Sequence, residues 1–94
     1  MKLFSVLVDD LEHCIVTGSS QVEIHHVFNG PNRRLSEKYG FLIPLRPDWH
    51  NFKPYSIHMD QEFDNSWKRY AQQYYEGHIG SREDFIREFG KSYL

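Results

Sequence analysis

Two adjacent histidines, His25 and His26, close an alternating stretch at residues 21–27, and two more, His50 and His58, follow on later segments. Imidazole is a good ligand for divalent transition metals, and with an unperturbed pKa of about 6.5 it also titrates near neutrality. Consecutive strand residues point to opposite faces, so at a frayed strand end the pair can divide two tasks at one site, one residue holding a metal and the other handling a proton. Cleaving a phosphodiester calls for both, a deprotonated water in line with the scissile bond and a cation to neutralise the departing oxygen. All four histidines fall at the ends of expected elements, where a rigid scaffold brings functional residues together. The other two of the six, His13 and His78, fit no part of this pattern and read as surface residues.

The elements that must position these side chains follow from local pattern. Residues 3–8 are an apolar run with β-branched members, stopped by Asp9-Asp10, and are expected to form an N-terminal strand. Residues 14–17 read as a second extended piece and Gly18-Ser19-Ser20 as a tight turn, so that residues 21–27 become a third strand ending on the histidines. Asn29-Gly30-Pro31-Asn32 must be a loop. Residues 33–39 suit one or two helical turns capped by Gly40, and residues 41–45 form an apolar strand whose Pro44 suits an edge. That strand delivers Arg46 to Asn51, including His50, to the same neighbourhood. After a loop containing Pro54, His58-Met59-Asp60 leads into an amphipathic helix with Phe63, Trp67, Tyr70, Ala71 and Tyr74 at three- and four-residue spacing. These aromatics are expected in the core, with Tyr75 off the stripe. A final helix starts at Ser81, with Asp84 in the acidic position of a capping box, buries Phe85, Ile86 and Phe89, and stops at Gly90. The fold class is α+β.

Composition narrows the setting. With 94 residues the chain has room for one domain, residues 1–94, and a modest core, to which an aromatic content of 16% adds large buried areas. The single cysteine, Cys14, forms no intramolecular disulfide and fits a reducing compartment, and it reads as a buried residue and not a nucleophile, with no basic partner beyond the neighbouring His13. The first residues are too short an apolar run for a signal peptide, and no stretch reaches membrane-spanning length, so a cytoplasmic location without membrane association is expected. The net charge of −2 argues against a general basic coat for nucleic acid. Its distribution says more: residues 31–60 carry five basic against three acidic side chains, whereas residues 1–30 carry one against four. Arg33, Arg34, Lys38, Arg46 and Lys53, all in the positive third, can contact phosphates.

The order His25-His26, then an asparagine in the following loop, then His50-Asn51 and His58, resembles the HNH (His-Asn-His) nuclease motif of the ββα-metal fold. From Cys14 to the closing Phe89-Gly90-Lys91-Ser92-Tyr93-Leu94, the sequence is similar to small phage HNH proteins related to the RecA-dependent Ref-type nucleases. The resemblance implies a ββα-metal core, preceded by an N-terminal strand or hairpin and followed by two helices. It implies His25 as a metal ligand, His26 as the general base and Asn32 as the residue orienting that base, with Asn29 the competing candidate. His50 and His58 would complete the metal site, holding one divalent ion: Mg, Mn, Ni or Zn. Such proteins usually also carry a structural zinc knuckle. Here its positions read Cys14-x-x-Thr17 and Arg46-x-x-Trp49, leaving one of four ligands, so no structural zinc is expected and Ile15 and Trp49 are expected to fill the space with apolar packing.

Two functions follow as expectations. The first is a metal-dependent HNH endonuclease hydrolysing DNA, phage-encoded and linked to recombination or DNA processing, working in the host cytoplasm with DNA and a recombinase filament as partners. The second is a catalytically degenerate HNH-fold protein that binds a host protein, such as a phage inhibitor of a defence nuclease. Metal occupancy would separate the two: a divalent ion held by His25, His50 and His58 for the enzyme, an empty site with those side chains splayed for the binder.

Overall fold

The computed structural model describes residues 2–94. Glu23–His26 form strand β1 and Leu42–Leu45 form strand β2, paired antiparallel with Glu23 opposite Leu45, Ile24 opposite Pro44, His25 opposite Ile43 and His26 opposite Leu42. Between them a 3-10 turn, Gly30–Asn32, runs into helix α1, Arg33–Tyr39, which ends on Gly40 with φ +76°, the left-handed conformation that glycine adopts without strain. Beyond β2 come a single helical turn α2, Pro47–His50, the long helix α3, Gln61–His78, and helix α4, Arg82–Phe89. Among the described residues the architecture is α+β, a two-stranded sheet with four α-helices. No helix among the described residues is long and apolar enough to cross a membrane.

The helix boundaries are set by caps. The Asp60 carboxylate accepts from the backbone N–H groups of Glu62 and Phe63, opening α3. Ser81 and Asp84 exchange side-chain-to-backbone bonds in a complete capping box, opening α4.

The expected N-terminal strand or hairpin does not form. Residues 3–17 run as bends and turns beside the outer edge of β2, touching it at separate points. The Val6 N–H donates to the Gly40 carbonyl at 2.9 Å, the Ser5 hydroxyl to the Leu42 carbonyl at 2.8 Å, and the Ile15 N–H to the Pro44 carbonyl at 3.1 Å. Pro44 explains why these contacts do not become a ladder. Its carbonyl faces the outer edge, where a third strand would also need an N–H that proline lacks.

The core gathers Leu7, Cys14, Val27, Phe28, Phe41, Ile43, Leu45, Ile57, Ala71, Tyr75, Phe85 and Phe89. Ile15 and Trp49 pack against it, half-buried. Two expectations about the helices are corrected. On α3, Tyr70 is exposed and Tyr75 is buried, because the face turned to the core follows Ala71 and Gln72 one turn on to Tyr75. On α4, Ile86 is exposed while Phe85 and Phe89, one turn apart, face inward.

Candidate functional site

Strand β1 is covered on both faces, which decides how its two histidines differ. His25 points toward α2 and the start of α3, and His26 points toward α1. Both are buried, and they line one cleft of about 140 Å³ together with Asn29, Arg33, His50 and His58. Alternation thus turns the two histidines to different neighbours while both line a single cleft.

The His25 ring meets the His50 ring at 5.2 Å between centroids and the His58 ring at 4.9 Å, and His50 and His58 lie 4.8 Å apart. One ring nitrogen from each of the three falls within 4.8 Å of the others. These three arrive from β1, from the last residue of α2 and from the loop before α3, so the eight-residue gap between His50 and His58 is spanned by a loop that folds back.

His25 Nε2 is buried and has no hydrogen-bond partner. Asp64 is the nearest acid, its Oδ1 at 3.9 Å, and its other oxygen is held by Lys68 at 2.9 Å. Burial, reinforced by the facing His58 and His50, pushes the His25 pKa down to about 3, so this imidazole is neutral at pH 7. The same causes, burial first and then His50, lower that of His58. Imidazole nitrogens clustered within 4.8 Å, the neutral His25 among them, are donors suited to a divalent ion. A buried nitrogen with no partner otherwise carries a desolvation cost, which coordination would remove. The donor set fits a metal ion.

His50 and His26 each have a carboxylate beside them. Glu23 Oε1 lies 2.8 Å from His50 Nδ1, and since a carboxylate only accepts, Nδ1–H donates and Nε2 keeps its lone pair toward the cluster. His58 Nε2, 3.2 Å from His50 Nε2, then donates to it when the cluster holds no ion. Glu37 Oε2 lies 2.7 Å from His26 Nε2, which fixes Nε2–H as donor and leaves Nδ1 as the basic nitrogen of His26.

The expected orienting residue is elsewhere. The Asn32 side-chain amide donates to the Phe89 carbonyl at 3.0 Å, tying the 3-10 turn to the end of α4, and His26 is oriented by Glu37 instead. Asn29, the competing asparagine, lines the cleft. Glu23, Glu37 and Asp64 were not singled out from sequence for the site, because isolated acids among solvated residues look like ordinary surface charge.

Of the basic residues expected to meet phosphate, Arg33 lines the cleft with Nε 3.9 Å from Glu37, and Arg34, Lys38 and Lys53 are exposed. Arg46 differs, since its guanidinium grips Asp48 at 2.6 and 3.0 Å and is committed within the chain. His13 pairs with Asp10 on the surface, and His78 stacks on Tyr74, both outside the cleft. Comparison of the chain with protein-family models, with curated proteins and with solved structures finds no match.

Proposed function

We propose that the chain is a metal-dependent phosphodiesterase of the HNH type acting on DNA. The observation that carries this is the convergence of His25, His50 and His58 around an unpartnered buried nitrogen, with His26 and its carboxylate on the adjoining side of the same strand. His25, His50 and His58 would hold the ion, and an all-imidazole donor set favours a transition ion such as Mn, Ni or Zn over Mg, which prefers oxygen ligands. A divalent ion there supplies positive charge to the departing oxygen. His26 Nδ1 takes a proton from water while Nε2–H remains bonded to Glu37, whose negative charge stabilises the imidazolium that results. The hydroxide oxygen forms a bond to phosphorus as the bond to the leaving sugar oxygen breaks. Arg33 at the cleft, with Arg34 and Lys38 on the same helix, supplies charge for the flanking phosphates.

Convergent histidines favour this reading over a degenerate binding protein, in which nothing would keep a buried imidazole nitrogen without a partner. The test is to incubate the chain with single- and double-stranded DNA and magnesium, manganese, nickel or zinc, alongside His26→Ala and His25→Ala. Metal-dependent cleavage lost in both variants is expected. Activity that survives His26→Ala rules out the assigned base, and the absence of cleavage with every ion rules out the enzyme.

A further inference from the structure

The loop joining His50 to His58 turns sharply at Phe52, where the Lys53 N–H donates to the Asn51 carbonyl at 3.0 Å. Phe52 is 89% exposed, the most exposed large apolar side chain among the described residues. It also has φ +74°, and it is the one non-glycine described residue with positive φ. A bulky aromatic disfavours that backbone conformation, and an aromatic in water leaves its apolar area unburied, so the position is unfavourable on both counts. The surrounding loop nevertheless holds it there. The Ile57 N–H donates to the Trp49 carbonyl at 2.8 Å, and the Ser56 hydroxyl and N–H both reach the Lys53 carbonyl, at 2.7 and 3.0 Å. Ser56 and Ile57 are buried, so the base of the loop is anchored in the protein and its tip is turned out.

Phe52 stands two residues after His50, and the exposed Lys53 follows it. We propose that Phe52 is a stacking platform for an unpaired base of the nucleic acid whose backbone enters the histidine cleft, and that the preferred substrate is single-stranded or locally unpaired. The proposal rests on the phosphodiesterase reading. A phenyl ring has no hydrogen-bonding groups with which to read base edges, but every base has a face that stacks on it, so the contact tolerates sequence. In an intact duplex those faces are covered by neighbouring bases. The adjacent ammonium of Lys53 and the guanidinium of Arg33 at the cleft give the backbone the charge complement that an apolar protein partner would not need.

The test measures binding of the full chain, carrying His26→Ala so that the probe survives, to labelled single-stranded and duplex oligonucleotides of equal length in manganese, with heparin as a polyanion lacking bases. Adding Phe52→Ala is expected to weaken single-strand binding about five- to a hundredfold. Duplex and heparin binding should move less than twofold, and Phe52→Trp should restore the single-strand affinity. Phe52→Gly, which relieves the backbone, should match or raise the melting temperature while losing the same affinity, an outcome that a structural role for the ring would reverse. Unchanged single-strand affinity in Phe52→Ala, or equal losses on single strand and duplex, overturns the stacking role and leaves the enzyme standing. No binding to either nucleic acid, together with no cleavage by the chain with His26 intact, overturns both.

Discussion

The burial of His25 sets a measurable dependence of stability on pH. Its folded pKa of about 3 lies below the usual 6.5, chiefly through desolvation, so on acidification the unfolded chain takes up the proton first. The stabilisation is therefore whole above pH 6.5 and is lost as pH falls from 6.5 toward 3. At pH 5 the unfolded imidazole is protonated and the folded one is not, which costs about 2 kcal/mol relative to pH 7.5, and the full shift corresponds to about 5 kcal/mol. For a chain of this size 2 kcal/mol lowers the melting temperature by about 8–16 °C. The assay is thermal or urea unfolding in EDTA between pH 7.5 and 5, with His25→Leu as reference, since leucine neither titrates nor leaves a buried nitrogen without a partner. The lowered pKa of His58 adds loss in the same direction, so the quantity to read is the difference between wild type and variant. That difference should shift toward the variant by about 2 kcal/mol over this range. A constant difference would show that His25 is not a buried neutral imidazole and would remove the electrostatic basis of the metal site.

Three further outcomes follow from the cleft. Manganese, nickel or zinc at about a hundred times its dissociation constant should stabilise the fold by about 2.7 kcal/mol, read as a rise in melting temperature, and His50→Ala should abolish the rise. Glu37→Gln keeps the side-chain shape but removes the charge beside His26, so cleavage should slow by about 10- to 100-fold while the metal-induced rise in melting temperature persists; equal loss of both would place Glu37 in the metal site. Asn32→Ala should cost about 1 kcal/mol of stability through the lost bond to the Phe89 carbonyl, with cleavage of folded protein unchanged; a large loss of rate without loss of stability would restore Asn32 to the catalytic group.

The elements with their own punctuation were legible in the sequence. Asp60, Ser81 with Asp84, Gly40 and Gly90 mark helix ends by chemistry acting within a few residues, and β1 lies within the alternating residues 21–27 and β2 within the apolar run 41–45. What failed depended on partners distant in sequence. Residues 3–8 have the composition of a strand, but a strand needs a neighbour with free donors and acceptors, and the outer edge of β2 is interrupted by Pro44. Tyr70 sits on the stripe read from the sequence and Tyr75 off it, yet Tyr75 is the one covered, because the direction from which the rest of the core packs on α3 decides the buried face. The histidines stood out because their type is scarce and their positions terminal. Glu23, Glu37 and Asp64 did not, since their partners lie 27, 11 and 39 positions away, counted along the sequence, and nothing local distinguishes them from solvated acids.

The residues just after the histidine pair fix its strand in the core. Phe28, two positions beyond His26, is almost fully buried among the rings of Phe41, Phe85, Phe89 and Tyr93, with centroids 6.0, 5.7, 4.6 and 5.5 Å away. Its backbone is clamped as well, because the buried Ser36 hydroxyl donates to the Phe28 carbonyl at 2.6 Å while accepting from the Phe28 N–H at 2.9 Å. Ser36 immediately precedes Glu37. One serine thus locks the register between the strand that carries His26 and the helix that carries Glu37, and the aromatic cluster ties the segment after the strand to the C-terminal helix. Deleting the Ser36 hydroxyl leaves the Phe28 N–H and carbonyl without these buried partners and frees Glu37 to slide relative to His26. The geometry of the His26–Glu37 pair is therefore tied to the core, while the clustering of His25 with His50 and His58 depends on the loop from His50 to His58 folding back to β1.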